Sequence, residues 1–412
     1  MLCQFTFKNF GSFRDEAFLD LCAESISEMR DSLIVDSDGE KYLPVISIYG
    51  PNGGGKSTVL EALAYLIYFV NNPIYMTQMR VPEMQVPHFS GGSLRHDIYY
   101  KFDEESRNHP TDFDLLFRRD GYEFRYEISI KDGAVVSENL YSKKIGARRA
   151  SIIFERSSEG IETGEELKNL PLDKVRSSFP LISYISTAYD IDIINRAISW
   201  FSYSTILNYD NPQRDRNILI PEDKKRLKQL LSMLQSMDIN ITDVRIEEDE
   251  KGRIIDIYTI HEVNGKKFEL NLKEESSGTR KLFSCLSRIE MCLEEGRLLI
   301  ADELDAKLHP KILGYIIEQF QNPAVNKAGA QLILTSHDMV NMNPDVFRRD
   351  EIWFCSQGHD YSSNLYSLVA FRDGRGQKVR KDEVYSKRYL EGHYGADPYI
   401  MHGLNWERKD EQ

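Results

Sequence analysis

Hydrophobic positions change period several times along the chain. Residues 2 to 7 alternate apolar and polar, as a strand with one buried face does, and "KNFGSFRDE" then turns. "VISIY" at 45–49 is almost wholly apolar, the mark of a strand buried on both faces, and "VLEALAYLIYFV" at 59–70 keeps helical spacing for several turns. From about 94 to 156 the runs "DIYYKF", "FDLLFRR", "YEFRYEISI" and "SIIFER" are separated by turn signals such as "RDGY" and "KDGA", which predicts antiparallel sheet. Residues 191–240 read as helices, notably "PEDKKRLKQLLSMLQSM" with its initial proline, and strand signals return in "DVRIEED" and "IIDIYTI" around the turn "KGR". "EESSGTRKLFSCLSRIEMCLEEG" opens a helix with Leu282, Leu286, Ile289 and Leu293 on one face. Short buried strands then follow in "LLIA" and "QLIL".

These elements predict an α/β chain with a mixed or parallel core sheet, an antiparallel β part and a helical insertion. The expected units are 1–93 as the N-terminal half of an α/β core, 94–190 as an antiparallel β-rich part, 191–245 as a helical insertion and 246–412 as the second half of the core. No apolar heptad is sustained over three or four repeats, so the middle is expected to be compact and not a long coiled coil. Composition leaves that picture unchanged: 41% hydrophobic and 28% charged residues over 412 positions are those of a globular chain. The formal charge of −13 argues against a protein that coats nucleic acid non-specifically, while leaving room for a local basic groove. Five cysteines without a C-x-x-C pair are expected to be reduced thiols with no zinc. The longest apolar stretch, 59–70, is too short for a bilayer and contains Glu61, so a soluble, cytoplasmic chain without a membrane partner is expected.

Chemistry enters with "GPNGGGKST" at 50–58, between the buried strand and the helix. It fits G-x-x-x-x-G-K-[ST] at Gly50, Gly55, Lys56 and Ser57, in the strand-then-helix context the pattern needs. Gly50, Pro51, Asn52, Gly53, Gly54, Gly55, Lys56, Ser57 and Thr58 would turn backbone N–H groups and a helix N-terminus toward a phosphate chain. Lys56 would reach the outer phosphates and Ser57 would hold Mg2+. The bland alternative is a glycine-rich turn. In "RLLIADELDAKLHP" a buried strand delivers Asp302 and Glu303 at its end, adjacent so that their side chains diverge, Asp302 toward magnesium and Glu303 toward an attacking water. "QLILTSHD" repeats the theme with Thr335, Ser336 and His337, although a lone histidine is as often structural. The start of the 274–296 helix can bind phosphate, and its plainer reading is a helix cap by Ser276 or Ser277.

The order of these pieces resembles the ABC-type ATPase class that includes SMC and RecF-like proteins: Walker A at 50–57, signature at 275–280, Walker B at 298–303, a D-loop at Leu304 and Asp305, and a switch histidine at His337. The resemblance implies ATP as substrate, Glu303 as catalytic base, His337 as a second catalytic residue that senses the γ-phosphate, and nucleotide contacts from Ser276, Ser277, Gly278 and Asp305. It also implies a homodimer in which the signature of one protomer closes on the nucleotide of the other. Two departures stand out: Glu275 and Ser277 replace the leucine and glycine of the common signature, and either Gln78 or Gln85 could be the Q-loop residue. Outside the motifs, "RYEISIKDGAVVSENLYSKK", "FRRDEIWFCSQ", "SNLYSLVAF" and "KRYLEGHYGADPYI" are similar to bacterial abortive-infection ATPases of the AbiL and RloA kind. That likeness implies an anti-phage module with an effector from a neighbouring gene, a RloB-like or other TOPRIM-type nuclease or another toxin.

Two other classes stand beside this expectation. A RecF or SMC-like repair ATPase would grip DNA, with candidate basic stretches at 143–149, 224–228 and 372–381, though charge runs are mostly solvated faces. A self-contained nuclease would need an extra acidic metal centre, for which Asp190 with Asp192 and Asp112 with Asp114 are the pairs of note. "NKAG" at 326–329 lacks the aspartate of a guanine reader, which favours adenine.

Overall fold

The computed structural model describes residues 1–77, 97–172, 174–207, 224–250 and 254–396. Strand β1 (Leu2–Lys8) leads to β2 (Ala17–Asp20), then to the short β3 (Ile34–Val35) and β4 (Lys41–Tyr42), and β5 (Val45–Tyr49) runs into the glycine loop and helix α1 (Lys56–Thr77). Five antiparallel strands follow: β6 (Thr111–Arg119), β7 (Tyr122–Lys131), β8 (Ala134–Lys144), β9 (Ser151–Ser157) and β10 (Gly160–Thr163). Helices α2 (Leu181–Ala188) and α3 (Asp192–Tyr203) precede β11 (Thr205–Leu207), and α4 (Lys224–Ser236) precedes a meander of β12 (Asp243–Glu248), β13 (Ile254–Val263) and β14 (Lys266–Asn271). The chain continues through α5 (Ser277–Glu295), β15 (Leu298–Ala301), α6 (Pro310–Gln321), β16 (Gln331–Thr335), β17 (Ile352–Gln357), β18 (Ser363–Ser367) and α7 (Tyr385–Leu390). No helix among the described residues is long and apolar enough to cross a membrane.

The expected α/β class holds, with a six-stranded central sheet in the order β11-β15-β16-β5-β17-β18. All its pairings are parallel except that of β17 with β18. Alternate residues of the central strands feed two cores. Ile46, Ile48, Ile300 and Ile333 pack with α1 and the antiparallel sheet, while Val45, Tyr49, Leu299, Leu332 and Leu334 pack with α5 and α6. Burial on both faces is why these strands read as continuous apolar runs.

The antiparallel sheet has seven strands in the order β10-β9-β8-β7-β6-β1-β2, so β1 joins a sheet whose other members lie up to 160 residues away. One expectation fails here: "DIYYKF" forms no strand. Residues 97–102 are irregular, with Tyr100 buried to 1% exposure and its backbone N–H donated to Asn9 Oδ1 at 3.0 Å. A side chain accepts the hydrogen bond that a neighbouring strand would otherwise take. The β12–β14 meander forms its own three-stranded sheet ahead of α5.

Candidate functional site

Parallel pairing puts the C-terminal ends of β15, β16 and β5 side by side, and each end carries a piece of the candidate chemistry. At the end of β5 the loop needs its glycines. Gly50 has φ +150 and a Cβ there would lie 2.3 Å from the carbonyl oxygen of Cys355, while Gly55 has φ +102 and a Cβ would lie 2.5 Å from Ser363 Oγ. Pro51 is half-buried, Asn52 and Gly53 are exposed at the crest, and Gly54 donates its N–H to Pro51 O at 3.0 Å. Lys56 opens α1 and folds back over the loop, donating Nζ to Gly50 O at 2.9 Å and Pro51 O at 3.1 Å. Burial holds its ammonium below the usual pKa, opposed in part by the carboxylates of Asp302, Glu303 and Asp305. Ser57 is half-buried in the first turn, and Thr58 Oγ1 accepts from Ser12 Oγ at 3.4 Å.

The carboxylates sit differently from the strand-borne pair that the sequence predicts. Strand β15 ends at Ala301, and Asp302 and Glu303 lie in the turn that follows, with Glu303 at φ +46. The divergence of the two side chains therefore comes from a left-handed residue in a turn and not from strand alternation. Thr335 at the end of β16 fixes both: its hydroxyl donates to Asp302 Oδ1 and accepts the Glu303 N–H at 2.8 Å. Asp305 Oδ2 accepts the backbone N–H of His337 at 2.8 Å, and its Oδ1 is buried without a partner. The His337 ring stands with Nε2 4.0 Å from Glu303 Oε1, both side chains about half exposed.

Lys56, Asp302, Glu303, Asp305 and His337 thus converge at one sheet edge. Ser276, Ser277 and Gly278 do not join them. Ser276 caps α5, its Oγ accepting the Thr279 N–H at 3.1 Å, so the plain reading of this turn is realised. Ser276 and Ser277 are exposed, and among the described residues no hydrogen bond links 276–278 to the 50–58 loop. The segment leans instead on the turn after β15: Lys281 Nζ donates to Ala306 O at 2.7 Å, and a Cβ on Gly278 would lie 3.2 Å from Lys307 O. Glu275 accepts from Thr259 Oγ1 at 2.6 Å and pairs with His261 Nε2 at 2.7 Å, which ties the start of α5 to the meander. Gln78 and Gln85 lie outside the described residues.

Sequence reasoning passed over Lys281, since a lysine in "TRKLF" reads as surface. It is buried, and burial pushes its pKa down to about 8. The alternative acid pairs are already engaged: Asp112 accepts from Ser129 Oγ, Asp114 pairs with Arg125, Asp190 accepts from Asn195 and Asp192 pairs with Arg196. No cluster of three or more His, Cys, Asp or Glu able to hold a metal occurs among the described residues.

Residues 45–343, which span the glycine loop, the carboxylate turn and His337, match the family model described as an AAA domain, putative AbiEii toxin, type IV TA system. The chain belongs to this AAA-domain family. In this member one central sheet carries the loop and both carboxylates. Similar solved structures include the SMC head domain from Thermotoga maritima, 14% identical with a TM-score of 0.44 over 89% of this chain and 98% of that one. An SMC head bound to the C-winged helix domain of ScpA is 13% identical with a TM-score of 0.41, covering 89% of this chain and 97% of that one. An SMC head with an extended coiled coil, bound to a ScpA C-terminal domain derived from Pyrococcus furiosus, is 12% identical with a TM-score of 0.36, covering 89% and 96%. No curated protein matches the chain.

Proposed function

We propose that this AAA-family protein binds and hydrolyses ATP, that two copies close around the nucleotide, and that this closure controls an effector in a bacterial anti-phage module. The observation that carries the reading is the convergence of Lys56, Asp302, Glu303 and His337 at the ends of three neighbouring parallel strands. The family description names a putative toxin of a type IV TA system, which supports a role in a two-gene defence module. The effector, a TOPRIM-type nuclease or another toxin, stays an expectation from sequence resemblance.

The residues divide the work. Lys56 exchanges its two loop carbonyls for phosphate oxygens, and the backbone N–H groups of 53–58 take the rest of the chain's charge. The donor set fits Mg2+, since the Ser57 hydroxyl and the Asp302 carboxylate are hard oxygen ligands in a glycine cradle, and the ion would neutralise charge on the terminal phosphates. Thr335 holds Asp302 in place. Glu303 accepts the proton of the attacking water, and His337, its backbone fixed by Asp305, presents its ring beside that carboxylate. Ser276 and Ser277 are exposed beside Gly278, where this segment can reach the phosphates held by a second protomer.

The test is Glu303→Gln, which keeps size and hydrogen bonding but removes the proton acceptor. Hydrolysis should fall roughly 10²- to 10⁴-fold with ATP binding retained, and size-exclusion chromatography with ATP should show a persistent dimer where the wild type shifts only transiently. A variant that hydrolyses ATP normally removes Glu303 from the mechanism. A monomer saturated with ATP removes the dimer.

A further inference from the structure

The position of the carboxylates fixes which way a phosphate chain runs through the loop. Asp302, Glu303 and His337 follow β15 and β16, which lie on one flank of β5, so the terminal phosphate points to that flank. The nucleoside end then lies toward β17 and β18 on the opposite flank. There the turn between β17 and β18 rises against the loop. Gln357 Nε2 donates to Gly53 O at 3.2 Å and to Tyr361 O at 3.4 Å, and Ser363 Oγ fills the space where Gly55 would carry a Cβ.

At the tip of this turn Tyr361 is 57% exposed and stacks on Phe102, which is 69% exposed, with ring centroids 5.2 Å apart and planes 26° apart. A single exposed aromatic is ordinary. Two stacked on each other beside a phosphate loop are not, and Tyr361 sits at φ +63, where glycine or asparagine is the low-energy choice. The backbone conformation is held on several sides. Asp360 Oδ1 accepts from Ser362 Oγ at 2.6 Å, Asp360 Oδ2 pairs with Arg14 at 2.9 Å, and the Tyr100 hydroxyl donates to the Asp360 carbonyl. Buried Tyr100 also meets Phe102 edge-on at 5.9 Å, so both rings stand on a fixed base.

We infer that the Phe102–Tyr361 pair is the platform on which the base of the bound nucleotide stacks, an inference that rests on the reading of 50–58 as a phosphate seat. The two rings already hold one arrangement over Tyr100, so little ordering opposes binding. Covering their exposed faces adds affinity that the phosphates alone do not supply. Stacking reads the face of a base and not its edge, so the platform contributes strength more than choice of base.

The test compares Mg-ATP with Mg-tripolyphosphate, which carries the phosphates without a base, on the full chain by calorimetry. Phe102→Ala and Tyr361→Asn, the latter a residue that accepts a left-handed backbone, should each weaken ATP binding roughly 5- to 150-fold and leave tripolyphosphate affinity unchanged. Tyr361→Trp should keep ATP affinity, and its indole emission should fall with ATP but not with tripolyphosphate. Unchanged ATP affinity in both truncations, or an indole signal equal for the two ligands, overturns the platform while the phosphate seat stands. Equal weakening of both ligands also overturns it, because the effect would then run through the loop. A wild type that binds neither ligand brings down the phosphate seat and the platform together.

Discussion

The loop at 50–58 and the turn at 276–278 are both glycine and serine-rich helix starts, and they are built to opposite ends. In the first, close contacts from other segments decide each conformation: Cys355 and Ser363 leave no room beside Gly50 and Gly55, and Lys56 is drawn back onto the loop. In the second, the polar groups satisfy one another within one helical turn, Ser276 with Thr279, and both serines stay exposed. The turn 302–307 meets the second region directly, through Lys281 and Gly278, and is pinned from the end of β16 by Thr335.

The comparison breaks most visibly at Gly278. Gly278→Asp should leave ATP binding intact and lower hydrolysis roughly 100- to 1000-fold, because a carboxylate would face phosphate across the interface. Mixing it with Lys56→Ala should restore part of the rate in a turnover assay, since one composite site keeps a normal loop and a normal signature. Gly278→Ala separates charge from crowding against Lys307 O, 3.2 Å away. No recovery at any mixing ratio would mean that each site is complete in one chain. Lys56→Ala alone should weaken ATP binding roughly 10- to 150-fold by calorimetry, and an unchanged affinity would show that the loop seats no phosphate.

Two smaller effects sharpen the contrast from the signature side. Lys281 has its folded pKa pushed from 10.5 down to about 8 by burial. Between those values the unfolded chain holds a proton that the folded chain has released, so stability relative to Lys281→Met should rise with pH across that window, by up to about 3 kcal/mol, and stay level below it. Denaturant titrations of both chains at several pH values measure the difference, and a flat or falling one contradicts the burial. Ser276→Ala removes a cap that holds no ligand in the single chain, and should cost about 1 kcal/mol in the same titration.

The sequence made the first region far more legible than the second. A loop that demands positive φ writes glycines into the chain, and a strand buried on both faces writes an unbroken apolar run. The Thr335 bridge could not be read, since it depends on β15 and β16 being neighbours across more than 30 residues of sequence. The turn holding Glu303 was hidden because an acidic pair after "LLIA" looks the same whether the strand continues or stops. Residues 97–102 carry strand-like alternation, but the burial of Tyr100 and the hydrogen bond its backbone N–H donates to Asn9 override it. Lys281 escaped for a similar reason, as residue type alone says nothing of the carbonyl waiting at Ala306.

Glu303 occupies a backbone position at φ +46, where a side chain costs on the order of 1 kcal/mol or more that glycine would avoid. Any selection of this chain for thermal tolerance alone, in a library or by computation, should therefore drift at position 303 toward glycine or asparagine. If Glu303 has the proposed role, the chains it enriches would melt later and turn over ATP roughly 10²- to 10⁴-fold more slowly.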